Sequence, residues 1–379
     1  MTGIIIGAGI GGLSSAIALQ AKNIDVEVFD ATPLLTVVGA GILLPPNAMA
    51  VLEQYQLADQ IESIGYPVHS FSILDYKGKS ITRSSSCYQV ANREYHTIAL
   101  HRGVLQQVLL NAFGKEKVHT GHECVRVKVA SEGVGVDFNN SVSKRGDFLI
   151  GADGIHSVIR KQLFPSSALR YSGQRCWRGI ANFSLSSKWL NQFTEIWGNG
   201  SRFGFVQISN DQVYWYATLY QKNVNITDSE CPSDILLREF CHYCAPVLEL
   251  IRHTPPEALI DSFLHDLSPL AQWYQKSIVL IGDAAHAMTP NLGQGGAQAI
   301  EDSFVLAEQL AQYESPAKAF QQFQTVRFKK VRQVVSLSWQ IGKATNLSNP
   351  WVCAARNRLV RQFSPISGGT ALQNFYKWP

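Results

Sequence analysis

The chain has 379 residues, 46% of them hydrophobic and only 16% charged, with a formal net charge of +4. That length can hold two domains with sizeable cores, and the charged fraction is well below the roughly 25% of an average globular chain. With so modest a net charge and no long basic run, nothing points to nucleic acid; the densest cluster, Arg327, Lys329, Lys330 and Arg332, reads as the wet face of a helix. Seven scattered cysteines fit reduced thiols. Cys241 and Cys244 form a lone C-x-x-C that a helix over Ser233–Tyr243 explains as packing. The apolar start, Met1–Leu19, lacks a basic leader and is rich in glycine, and no stretch offers 18 uninterrupted apolar residues. The expectation is a cytoplasmic protein with no transmembrane segment.

Gly3–Ile6 is a short apolar strand running into Gly7-Ala8-Gly9-Ile10-Gly11-Gly12. A helix with Leu13, Ile17 and Ala21 on one stripe follows, then a strand Val26–Phe29 ending at Asp30. In this βαβ context the G-x-G-x-x-G reads as a dinucleotide site: Gly7 permits the turn, Gly9 lets a pyrophosphate approach, and Gly12 lets helix and strand pack. Asp30 stands where ribose hydroxyls would bind. Val38–Asn47 has no period and reads as a loop crossing the ligand, with Asn47 capping a helix over Ala48–Tyr55. Phe71–Ile81 reads as a strand pair around Lys77-Gly78, and Ser84–Tyr95 as a polar surface excursion. Arg102 opens an amphipathic helix, the wrong end for a cation, which invites an anionic partner such as a pyrophosphate.

Val118–Phe138 reads as two or three strands, and Asp147–Ile150 as another, ending at Asp153-Gly154 before His156, Ser157 and Arg160 on a helix start. Asp153 and Arg160 can equally tie that helix to its turn. Tyr171–Gln221 is rich in aromatics with strand alternation, an inserted antiparallel sheet whose aromatic face would wall a pocket for a flat apolar substrate. Arg202 is a charge amid apolar alternation and needs a partner. Ser233–Leu250 reads as helix and Leu259–Asp266 as a returning strand. Ser277–Ile281 is an apolar, β-branched strand ending at Gly282-Asp283. Pro290 and Gly293–Gly296 form a tight loop, and a helix begins at Ala297. Such a tip binds ligands in α/β sheets, and such a helix start is an anion site; an αβ loop that merely needs glycines is the alternative reading. Helices follow over Ser315–Leu347 and Pro350–Phe363, the last with Arg356, Arg358 and Arg361 opposite Trp351, Val352, Leu359 and Val360. A basic amphipathic helix of this kind can lie on a membrane; here it is expected to cap the domain.

Three acid-bearing strand tips, at Asp30, Asp153 and Asp283, suggest one sheet gathered around one long ligand. The glycine loop with Asp30, Asp153-Gly154 with Ser157 and Arg160, and Gly282-Asp283 with Pro290 and Gly293–Gly296 together make the chain resemble the single-component FAD-dependent monooxygenases of the aromatic hydroxylase type. The segment Trp197–Leu219 is similar to the branch that holds urate hydroxylase, salicylate-type hydroxylases and zeaxanthin epoxidase. The resemblance implies an α/β fold: a discontinuous Rossmann-like FAD-binding domain (1–70, 98–168 and 268–335), an inserted antiparallel-sheet substrate domain (71–97 and 169–267), and a C-terminal helical segment (336–379).

It also implies Gly7, Gly9 and Gly12 on the pyrophosphate, Asp30 and Arg102 on the adenosine half, and Asp283 on the ribityl-pyrophosphate region. Asp153-Gly154 would serve both FAD and a transient NAD(P)H, while Pro290, Gly293, Gly295 and Gly296 would face the isoalloxazine. The implied chemistry is reduction of FAD by NAD(P)H, capture of O2 as a C4a-hydroperoxide, and transfer of one oxygen atom to an aromatic or other electron-rich planar substrate. Arg202 is expected to orient that substrate, and Tyr214, Tyr216 and His286 are candidates by type for a base. A reductase of the same fold and a non-catalytic flavin carrier are the other readings. The expected state is a monomer or homodimer, with no metal.

Overall fold

The computed structural model describes residues 1–37, 39–90, 93–129, 133–221, 230–363 and 375–377. The glycine-loop strand Thr2–Ile6 is the centre of a six-stranded sheet in the order Val118–His119, Asp25–Phe29, Thr2–Ile6, Phe148–Gly151, Ile278–Leu280, Tyr274–Gln275. All neighbours are parallel except the last pair. The inner strands Thr2–Ile6, Phe148–Gly151 and Ile278–Leu280 are buried almost throughout, as apolar β-branched runs covered on both faces must be. Their parallel register brings the three predicted tips to one edge. The helices Ile10–Gln20 and Gly295–Gln312 pack over this sheet and share its core.

The second sheet has seven strands in the order Ile260–Leu267, Leu169–Asn182, Gln212–Tyr220, Ser201–Gln207, Gln192–Trp197, Ser70–Asp75, Ser80–Ser85. The predicted strand pair around Lys77-Gly78 forms its far edge, where Ser70–Asp75 runs parallel to Gln192–Trp197. One face of this sheet carries Trp177, Phe203, Phe205 and Trp215. They pack under Leu236, Phe240 and Leu250 as a core of their own. The aromatic face expected to wall a substrate pocket is therefore covered by helices.

Several local expectations are corrected. Gly41–Leu44 is a strand paired with Thr97–His101 rather than a loop; Val38, where that loop was to begin, lies outside the described residues. Pro46 opens the next helix, so Asn47 lies inside it and does not cap it. The excursion at Ser84–Tyr95 contains a hairpin, Tyr88–Val90 with Arg93–Tyr95, whose Val90 and Tyr95 bury into the same core as Met49; residues 91 and 92 lie outside the described set. The helix expected over Ser233–Leu250 is two, Pro232–Glu239 and Val247–Arg252. The break leaves Cys241 exposed, while Cys244 packs against Gly78. Arg327 is no wet residue: it is 1% exposed and ion-paired with Glu301 and Asp302. Arg356, expected on the outer face of the last helix, is buried, and Trp351 on the same helix points outward. No described helix is long and apolar enough to cross a membrane.

Candidate functional site

The strand tips enclose a cavity of ≈ 550 Å³. Of the residues singled out in the sequence, Gly7, Gly9, Asp30, Arg102, Asp153, Gly154, Asp283, Gly295 and Gly296 line it. Gly12 does not line it; its requirement for glycine is steric, because a Cβ there would sit 1.8 Å from the Gly7 carbonyl oxygen and push the helix off the strand. Gly7 itself has φ +107°, a backbone that L side chains rarely adopt, and its N–H donates to Phe29 O, closing the turn. The helix Ile10–Gln20 starts with no side-chain cap and no acid in its first turn, and so does Gly295–Gln312. Two helix starts without side-chain caps thus open on one cavity, each presenting free N–H groups to an anion.

Acidic groups surround that positive field. The Asp30 carboxylate accepts from Ala8 N at 2.6 Å and Thr32 N at 2.8 Å, which fixes it at the mouth of the glycine loop. Asp153 accepts from the Ser157 hydroxyl (2.6 Å) and from Val158 N (2.8 Å), so it holds the next helix start while also lining the cavity. Arg160 is structural: it donates to Ile155 O and Ala284 O and ties that turn to the loop after Ile278–Leu280. Asp283 is exposed to the open cavity, with protein packed around its base. Burial raises its carboxyl pKa, against the pull of His286, Arg102 and Arg160.

A buried set behind the cavity fixes the Asp283 loop. Asp302 accepts from Gly282 N at 3.0 Å, from His286 Nε2 at 2.6 Å and from Arg327 Nε at 2.9 Å. Burial alone would raise the Asp302 carboxyl, but His286 and Arg327 outweigh it and hold it at about 2. His286 therefore lies behind the tip, packed on Trp273, and not among the cavity-lining residues. Asn47 joins this set, donating to Glu301 at 2.6 Å and to Gln294 at 3.2 Å at the start of the second helix.

Arg202, Tyr214 and Tyr216 also stand apart from the cavity, on the face of the seven-stranded sheet opposite the aromatic core. Arg202 is 1% exposed and finds the partner its burial demands in Glu195, at 3.4 Å. Its other amine donates to Asn291 Oδ1 at 2.6 Å. Asn291 belongs to the turn Pro290–Leu292, just before the left-handed Gly293 (φ +62°) and the Gly295–Gly296 helix start. Glu195 also accepts from the Tyr216 hydroxyl and from the Trp197 indole. Burial, then Glu195, pushes the Tyr216 phenol well above its usual pKa, so it is a neutral donor; burial also raises Tyr214. A single guanidinium thus joins this sheet face to the loop at the cavity rim.

Sequence reasoning missed Glu195, Asn291 and Asn47, and the cavity residues His122, Glu123 and Cys124. The last three follow the two-residue strand Val118–His119, too short to give a pattern, and His122 N reaches Asp30 O only through folding.

The donor set fits a dinucleotide flavin: two helix starts for its phosphates and its electron-rich ring edge, and carboxylates at strand tips for its hydroxyls. The FAD binding domain family model matches residues 1–338. The chain is 35% identical over 365 residues to aurachin C monooxygenase/isomerase of Stigmatella aurantiaca, covering 96% of this chain and 94% of that protein. It is 32% identical over 366 residues to 2-heptyl-3-hydroxy-4(1H)-quinolone synthase of Pseudomonas aeruginosa, covering 95% and 94%. The crystal structure of Klebsiella pneumoniae HpxO complexed with FAD and uric acid superposes with a TM-score of 0.87 at 26% identity, covering 99% of this chain and 96% of that one.

Proposed function

The chain belongs to the FAD binding domain family, among its FAD-dependent monooxygenases, and from that premise we propose that it uses NAD(P)H and O2 to insert one oxygen atom into a planar heteroaromatic substrate of the quinolone kind. The observation that carries this reading is the meeting of two helix starts without side-chain caps and the Asp30 and Asp283 tips on one cavity, whose rim loop is bound to the Arg202 sheet face. The quinolone class is taken from the 2-heptyl-3-hydroxy-4(1H)-quinolone synthase, which matches almost the whole chain.

The chemistry that a bound flavin would supply is two-electron transfer from NAD(P)H and delivery of one atom of O2 to substrate, with the other released as water. The chain's own work is to bind, orient and keep water out. Gly7 and Gly9 leave room for the pyrophosphate, with Gly12 keeping the helix close; Asp30 and Arg102 hold the adenosine side and Asp283 the ribityl side. Asp153-Gly154 lies on the path for NAD(P)H, and Pro290 and Gly293–Gly296 form the ring-side loop. Arg202 orients substrate and loop together through Asn291. Tyr214 and Tyr216 would line the substrate side of the sheet, where the Tyr216 hydroxyl, donating to Glu195, is held in place. His286 acts as a positioning residue for the Asp283 tip. On this reading 1–70, 98–168 and 268–335 form the FAD domain, joined by the 88–95 hairpin through its packing, and 71–85 with 169–267 form the substrate domain. Of the segment 336–379, the end of the helix Pro316–Thr345 and the helix Pro350–Phe363 close over both.

The test is an 18O2 experiment with FAD-loaded protein, NADH or NADPH, and 2-alkyl-4-quinolones beside urate. The expected result is one 18O atom per product for each NAD(P)H consumed. A reduced or dehydrogenated product without 18O would replace the reading with a reductase, and a flavin band that no nicotinamide bleaches with any substrate would leave a carrier.

A further inference from the structure

The last helix, Pro350–Phe363, faces the molecule with its cysteine and its first arginine and faces water with its largest apolar residues. Cys353 is buried. Arg356 donates to Ala344 O at 3.1 Å and to Gly198 O at 3.3 Å, and it stacks on the Trp197 ring at 4.9 Å. Trp351 is 85% exposed, Leu359 55% and Val352 45%. Trp351, Ala355 and Leu359 recur every four residues and so lie on one face, with Arg358 exposed beside Leu359 and Lys343 exposed on the preceding helix. Single exposed hydrophobics are common, but a tryptophan, a leucine and a valine on the outer side of one helix are a patch.

Charge supplies the second observation. From Ser315 to Pro379 the sequence contains ten lysines and arginines and no aspartate or glutamate, although the whole chain nets only +4. Seven of the ten are exposed, whereas Arg327 and Arg356 are buried and Lys330 pairs with Glu301; the patch therefore sits in a stretch of sequence of one sign, in a chain whose remainder is acidic. An indole at headgroup depth, aliphatic side chains reaching the acyl boundary and arginines against phosphates are what an anionic bilayer surface accommodates. Nucleic acid would take the arginines without the leucine and valine, and a second copy of a basic face would be repelled.

We propose that Pro350–Phe363 is a peripheral membrane-docking helix that seats Trp351, Val352 and Leu359 in an anionic phospholipid surface. Docking leaves the inner face in place, so Arg356 still stacks on Trp197, whose indole is held by Glu195. The helix lies on the bilayer and does not span it.

The test is co-sedimentation of the FAD-loaded full chain with vesicles of phosphatidylglycerol and phosphatidylethanolamine, or of phosphatidylcholine alone, at low and high ionic strength. Wild type is expected to pellet with the anionic vesicles, to release as salt rises, and to ignore the neutral ones. The double variant Trp351→Ser/Leu359→Ser, which alters only exposed side chains, is expected to partition about tenfold more weakly while keeping its flavin spectrum. Equal, weak pelleting with both vesicle types, or a double variant that binds as wild type does, would overturn the proposal. So would a dimer in light scattering that the double variant converts to monomer, since the face would then belong to a second copy. The readout is binding, so loss of the oxygenation reading leaves this result standing.

Discussion

The two faces of the seven-stranded sheet come from the same strands by alternation, yet they do opposite work. On one face Trp215 stacks on Phe203 with ring centroids 5.2 Å apart and donates its indole N–H to Thr254 at 2.7 Å. Apart from Thr254 its neighbours there are apolar core, and none of them lines the cavity. On the other face Tyr216, Glu195 and Arg202 form a buried chain of hydrogen bonds that leaves the sheet and ends on Asn291. The first arrangement gains stability from area. The second holds charge out of water, which costs free energy unless every group is paired. Expensive polar burial aimed at a cavity rim is where specificity would reside, and cheap apolar burial is where the fold is secured.

That contrast can be broken from either side. Trp215→Ala should cost about 3–5 kcal/mol of stability, from lost transfer energy and the cavity left behind. Chemical denaturation measures it, and turnover per folded, FAD-bound molecule should stay near wild type. A large loss of turnover in the folded fraction would show that the two faces are not separable. Glu195→Gln should cost a similar amount, about 3–5 kcal/mol, because Arg202 keeps Asn291 but loses its buried counter-charge. Here the activity should suffer more than the fold: the variant binds FAD normally, and kcat falls because the amide offers one acceptor oxygen where the carboxylate offers two, so either Arg202 or Tyr216 loses the partner that sets it. A variant with wild-type kcat and KM would reduce Glu195 to a packing residue.

The parts legible in the sequence were those whose cause is local. A β-branched run that stops at Gly282-Asp283, and a Gly12 forced by its distance from the Gly7 carbonyl, announce themselves because neighbours in sequence are neighbours in space. The same locality misled elsewhere. Arg327 sits in a basic cluster, which looks solvated, but its partners Glu301 and Asp302 lie on the preceding helix and draw it inside. Asn47 looked like a cap because it precedes an apolar run, whereas its side chain reaches 254 residues along the chain to Glu301. Glu195 gave no signal at all: Arg202 and Tyr216 become its neighbours only when three strands pair. The aromatic content of Tyr171–Gln221 was read correctly as a sheet, but content cannot say which face a helix will cover.

The central claim is that one cavity holds the flavin while the polar sheet face governs what happens to substrate beside it. Anaerobic stopped-flow reduction of Arg202→Ala by NADPH, with and without substrate, tests it most directly when the flavin content of the same sample is measured. The account predicts wild-type FAD occupancy and loss of the substrate-stimulated rate. Unchanged kinetics, or a variant that no longer holds FAD, would contradict it.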